Sequence, residues 1–187
     1  MAVLEQLEHR RFTSDEVLRM VEEGILDEDE RLELLDGELV VMSPQNPRHA
    51  ALAAKLQRLV AAVAPRGTHL RLHSPIAAGR ESLPEPDLAL VRGRAEDYLD
   101  RHPAGGDLLL VVEIAVTSQA ADRLKARIYG QAGVPVYWLL DLPDRHLEVH
   151  SGPQATGGYS ESRFAGAGES VSVPGADAEL SVAELLA

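Results

Sequence analysis

Between Asp107 and Asp141 the chain reads DLLLVVEIAVTSQAADRLKARIYGQAGVPVYWLLD, and the first part of this stretch limits the possible folds more than any other. An almost unbroken apolar run from Leu108 to Val116 contains a single ionisable residue, Glu113. A short run of this kind reads as a strand buried on both faces. A carboxylate inside it must be paired, protonated or bound to a cation, because an isolated buried charge is too costly. Some other part of the chain has to meet Glu113.

The residues that follow predict a helix. At about 100° per residue, Ser118, Asp122, Lys125 and Tyr129 fall within a sector of roughly 60°. The neighbouring stripe is Ala121, Leu124, Ile128 and Ala132, which we expect to pack on the sheet while the polar stripe borders the core and looks into a cleft. The apolar VYWLLD after Gly133 and Pro135 then reads as a second strand, so the stretch is strand, helix, strand.

The 187 residues, 45% of them apolar, suit one sizeable core. The expectation is a single domain, 1–187, with its chemistry between about residues 31 and 141. The absence of cysteine excludes disulfides, thiolate zinc sites and a nucleophilic thiol. MAVLEQLEHRRF has no basic start followed by an apolar core, and no apolar run approaches the ~18 residues a spanning helix needs. A cytoplasmic protein without membrane contact is expected. The net charge of −12 is concentrated at the start: residues 1–38 hold 13 acidic and 4 basic residues. Of the eighteen basic residues only Lys55 and Lys125 are lysine, so Lys125 calls for a reason.

Elsewhere, Thr13 and Glu16 stand at capping-box spacing before a first helix that Gly24 ends. Asp36-Gly37 between two apolar runs signals a hairpin, with Glu33 on its first strand. An alanine-rich helix spans 49–63, and THLRLHSPI alternates as a half-exposed strand. Pro84 and Pro86 hold the approach to Asp87 extended, and Asp87 opens a short strand with Leu88 and Leu90 on one face and Ala89 and Val91 on the other. A helical turn is expected near 95–99. HLEVH pairs with the strand before it, further short strands fall at 159–164 and 170–173, and Ser181 with Glu184 suggests a capping box for a last helix. The order gives a mixed α/β (α+β) sheet flanked by helices.

If the strands of Asp87 and Glu113 are neighbours, two carboxylates and the Lys125 ammonium converge at one end of the sheet. Such a set can hold Mg²⁺ through oxygen ligands and leave the lysine to orient or deprotonate a water. A compact ammonium suits that task better than a guanidinium. The competing reading is a structural Glu113–Lys125 ion pair.

PDLALV, VVEIAVTSQAADRLKARIY and GVPVYWLLD, preceded by RLELLDGELVVMSPQNPRH, resemble a large bacterial family of restriction-endonuclease-like proteins, long catalogued as a domain of unknown function and placed in the PD-(D/E)XK nuclease superfamily. The resemblance covers roughly residues 12–150. It implies a restriction-endonuclease-like mixed β-sheet with an extra N-terminal hairpin and C-terminal strands. It further implies that Asp87 and Glu113 bind Mg²⁺ or Mn²⁺ with the main-chain carbonyl of Ile114, that Lys125 positions the attacking water, and that Glu33 assists. In the basic pattern a lysine stands two residues after the acid, where this chain has Ala115; in this family the lysine lies on the following helix, as Lys125 does. Ser118, Asp122, Tyr129 and His49 match cleft-lining positions, and Val116 replaces a serine usual in the family.

The implied activity is metal-dependent hydrolysis of DNA phosphodiesters, with a homodimer or higher homo-oligomer expected because double-strand cleavage wants two sites. Two other readings stand beside it: a catalytically inert, nuclease-derived binding or assembly module, and a hydrolase of other phosphodiesters. His69 with His73 and His146 with His150 read as ordinary surface or half-buried histidines, and Trp138 as core. The sequence has no Gly-rich phosphate loop and no GxSxG elbow.

Overall fold

The computed structural model describes residues 9–27, 29–116 and 119–187. At its centre lies β5 (Leu108–Ala115), in which all eight residues are buried. A strand with no polar face needs cover on both sides, and two separate cores supply it. The sheet runs β3-β4-β5-β6-β7-β8, comprising β3 (Thr68–Arg71), β4 (Leu88–Arg92), β5, β6 (Val136–Asp141), β7 (His146–Pro153) and β8 (Tyr159–Ala165). Every pairing is antiparallel except β5 with β6. That pair is parallel because helix α3 (Gln119–Gln131) connects them as a crossover.

Alternation along β4 and β5 sorts the two cores. Leu88, Leu90, Val112 and Ile114 face helix α2 (Pro47–Val63), with the short helix α4 (Val182–Leu186) on the same side. Ala89, Val91, Val111 and Ala115 face α3 through Ala126 and Tyr129. Glu113, between Val112 and Ile114, therefore points to the α3 side. Over that side lies the hairpin of β1 (Leu32–Leu35) and β2 (Glu38–Val41). Its turn has positive φ at both Asp36 and Gly37, as a tight hairpin requires. Arg127 of α3 pairs with Asp36 and fixes the hairpin to the helix. Helix α1 (Ser14–Glu22) begins with the expected capping box of Thr13 and Glu16.

Two expectations need correction. In α3 the inward face is the polar stripe: Asp122, Lys125 and Tyr129 are buried, while Leu124 is half exposed and Ala121 is exposed. The acids and the lysine satisfy one another beneath the helix, and this overrides the hydrophobic periodicity; Ile128 is buried beside them. The second concerns α4. Ser181 is its N-cap residue but makes no side-chain capping bond. Its backbone instead belongs to β10 (Glu179–Ser181), which pairs with β9 (Ser170–Ser172).

Helix α3 also presses on the loop before β8. A Cβ added at Gly130 would stand 2.0 Å from the Gly158 carbonyl oxygen. Alanine exceeds glycine in helix propensity by about 1 kcal/mol, yet here backbone would have to move, which costs about 1–3 kcal/mol. Gly130→Ala is expected to lower the urea midpoint, and an unchanged or raised midpoint would show that the loop yields freely.

Candidate active site

The site forms where β4 begins and β5 ends. Leu88 pairs with Val112, so Asp87, one residue earlier, lies beside Glu113 and Ile114. The Ile114 N–H donates to Asp87 Oδ2 at 2.8 Å. Pro84 and Pro86 cannot donate, but their carbonyls accept from Ile76 and His73 N–H groups and keep this approach extended. His49, at the start of α2, places Nε2 3.1 Å from Asp87 Oδ2, and His73 Nδ1 lies 3.4 Å from Oδ1. Burial pushes the Asp87 carboxyl up, but the bonds from His49, His73 and Ile114 outweigh it and hold the pKa at about 2. The same contact with Asp87 raises His49.

A second group surrounds Glu113. Lys125 Nζ donates to Glu113 Oε1 at 3.2 Å and to Glu33 Oε1 at 2.8 Å, and the Tyr129 hydroxyl donates to Glu113 Oε1 at 2.6 Å. Glu33 is held in turn by the Glu85 N–H at 2.7 Å. Glu33, Asp87, Glu113 and Asp122 are all buried carboxylates, and Lys125 is the buried ammonium among them. Burial pushes Glu113 up to about 8; Lys125 opposes this, while the charges of Asp87, Asp122 and Glu33 add to it. Burial alone would lower Lys125, but Glu113 and Glu33 raise it above its ordinary value. Lys125 therefore stays charged, and the negative charge around it exceeds what one ammonium can balance.

These groups open on a cleft of about 320 Å³, lined by Glu33, His49, Asp87, Glu113, Ile114, Asp122 and Lys125 together with the β2 end of the hairpin. The structure thus brings together Asp87, Glu113, Lys125 and Glu33, with Asp122, His49 and Tyr129 beside them. Ser118 lies outside the described residues. His73 is a correction: read from sequence as an ordinary surface or half-buried histidine, it reaches Asp87. No strand periodicity marks it, because β3 ends at Arg71 and the chain turns at His73 with φ of 43°. Gln45 Nε2, 3.0 Å from His73 Nδ1, was also not foreseen.

A cation at this site would meet carboxylate oxygens with imidazoles close by, a donor set that fits Mg²⁺ or Mn²⁺. The excess of buried carboxylates over ammonium favours the same kind of ion. Among the described residues, the three side chains whose ligating atoms already lie within 4.8 Å of one another are others: Asp141, His146 and Glu148. There the Arg123 guanidinium already bridges Asp141 at 3.0 Å and Glu148 at 2.5 Å. We read that cluster as an ion-pair clamp between α3 and the β6–β7 hairpin.

A mixed sheet with paired acids at adjoining strand ends and a lysine on the crossover helix defines a protein of the restriction-endonuclease-like fold. The chain belongs to the Uma2 family, described as "Putative restriction endonuclease", whose model matches residues 14–183. It is also similar in fold to a solved structure from Anabaena variabilis ATCC 29413, described as a putative nuclease belonging to DUF820. The two share 20% identity, with a TM-score of 0.76 over 94% of this chain and 97% of that one. No curated protein matches the sequence. No helix among the described residues is long and apolar enough to cross a membrane.

The Asp87 contacts give a signed prediction for the metal-free protein. Its carboxyl is lowered from 3.8 to about 2 on folding. The stabilisation is therefore fully present above pH 3.8 and is lost as pH falls toward 2, about 2 kcal/mol in all. Denaturant unfolding in chelator between pH 5 and pH 2 should show this loss in the wild type and not in Asp87→Asn.

Proposed function

We propose that the protein is a metal-dependent endonuclease that hydrolyses DNA phosphodiesters. The observation that carries this reading is the meeting of buried Asp87 and Glu113 in one open cleft, with Lys125 tied between Glu113 and Glu33. In it Asp87 and Glu113, with the Ile114 carbonyl, would hold Mg²⁺ or Mn²⁺, which when bound would supply Lewis-acid stabilisation of charge on the phosphate. The chain's own groups do the rest. Because Glu33, joined by Glu113 once the ion displaces its proton, keeps Lys125 charged, it serves as a donor that orients water or a phosphate oxygen rather than as a base. Glu33 fixes that ammonium, and Tyr129 fixes the Glu113 carboxyl from below. For DNA to be cut on both strands, two copies of this site would act together as a homodimer or larger assembly.

Cleavage of duplex DNA with Mg²⁺ or Mn²⁺ tests the assignment. Asp87→Ala and Lys125→Ala are each expected to lose about 10²-fold or more in rate. Unaltered cleavage by Asp87→Ala would end the assignment. Calorimetric Mn²⁺ binding without cleavage of DNA or of small phosphodiesters would return the inert-module reading.

Ion binding should also depend on pH in a defined direction. Glu113 holds its proton up to about pH 8, so an ion must displace it below that pH. Mn²⁺ affinity is expected to rise up to about tenfold per pH unit below 8 and to level off above. Glu113→Gln should bind more weakly and flatten that profile.

A further inference from the structure

Besides the catalytic cleft, a second groove is lined by positive residues, one of them a partly buried arginine without a carboxylate partner among the described residues. This groove, about 680 Å³, lies beyond the segment 74–86 from the catalytic cleft. Its lining includes Arg71, Arg80, Arg101 and His102, with Asp15 and Asp100 among the other residues. Arg101 is neutralised by Asp107 at 2.6 Å. Arg71 and Arg80 form no ion pair among the described residues.

Arg71 is the informative residue. It is partly buried, its Nε is buried without a hydrogen-bond partner, and its one bond is a long 3.5 Å contact to the Pro75 carbonyl. Burial lowers it, and no carboxylate enters to compensate. The neighbouring His102 is lowered by burial and then by the Arg71 charge. Partly buried guanidinium N–H groups without acceptors are costly unless a ligand supplies the acceptors. A tetrahedral oxyanion matches their fork geometry.

Position identifies the oxyanion. Arg71 and His73 are two residues apart, at most about 7 Å along the chain, and His73 touches Asp87. That is about two nucleotide steps, since phosphates follow one another by about 3.4 Å of axis on one strand. The segment between the two cavities contributes Glu85 to the cleft and Gly79, Arg80 and Leu83 to the groove.

We propose that the groove of Arg71 and Arg80 binds a backbone phosphate of the substrate strand, within about two nucleotide steps of the scissile one. The inference rests on the nuclease reading, and the experiment separates the two. Fluorescence anisotropy with a labelled DNA duplex in Ca²⁺ would be read across a salt series for wild type, Arg71→Met and Arg80→Ala. Each variant is expected to bind about 3- to 10-fold more weakly and to lose about one unit of salt slope. Hydrolysis of a small phosphodiester, too short to span both cavities, should be unchanged. Arg80 is exposed, so Arg80→Ala remains informative if Arg71→Met fails to fold.

Wild-type affinity and slope in Arg80→Ala, with DNA still cleaved, would overturn the groove and leave the nuclease reading intact. A wild type that does not bind the duplex would overturn the groove as well. Weakened binding by the variants, with no cleavage by wild type, would sustain the groove and remove the nuclease.

Discussion

The structure depends on how Glu113 is accommodated in a strand with no solvent-exposed residue. The carboxylate reaches no water through the sheet, so its partners come from two other elements: Lys125 and Tyr129 from α3, and, through Lys125, Glu33 from the hairpin. This bond set holds three pieces of chain in one geometry. Buried ion pairs are seldom more stabilising than apolar packing, since desolvation offsets their attraction, but removing one partner strands the other at a cost of about 3–5 kcal/mol. The network therefore adds little net stability, but it specifies where α3 and the hairpin sit. Arg127 with Asp36, and Arg123 with Asp141 and Glu148, repeat the arrangement at two further points along the helix.

The same network sets the electrostatics. Four buried carboxyl groups around one ammonium suit the cleft to a cation better than to a polyanion. A nuclease built this way needs a metal ion at the chemistry and positive charge beside it. The acidic N-terminal block adds to the difficulty, because its hairpin forms one wall of the cleft. In the proposed reading, Arg71 and Arg80, which form no ion pair among the described residues, would meet a phosphate chain on the far side of a single segment and leave the cation site itself free.

Much of this could be read from the sequence, for identifiable reasons. The strands announced themselves through strong signals: the apolar run of β5, the Asp-Gly hairpin turn, and Pro84 and Pro86 before Asp87. Those signals are local, and the structure follows them. Asp87, Glu113 and Lys125 could be connected because an acid in an apolar run demands a partner. The errors arose where partners come from far along the chain. The inward face of α3 was misread because Glu33, 92 residues before Lys125, makes the polar stripe the buried one. His73 was passed over because its role depends on a turn after β3, which alternation does not encode. Ser181 has the residue type of a capping box, but its backbone is committed to β10.

If Lys125 stands in for the lysine of the basic pattern, its displacement follows from packing. A residue two after Glu113 lies on the same face of β5, at Ala115. Ala115 is fully buried in the core beneath α3, together with Ala126 and Tyr129. A lysine stem there would have to share that space with the tyrosine that bonds Glu113, and overpacking a filled core costs about 1–3 kcal/mol. Placed on α3, the lysine approaches Glu113 from above, reaches Glu33 as well, and leaves Ala115 small enough for the helix to lie close to the strand. Lysine suits this position better than arginine, since one compact ammonium can donate to both carboxylates at 2.8 and 3.2 Å and still line the cleft.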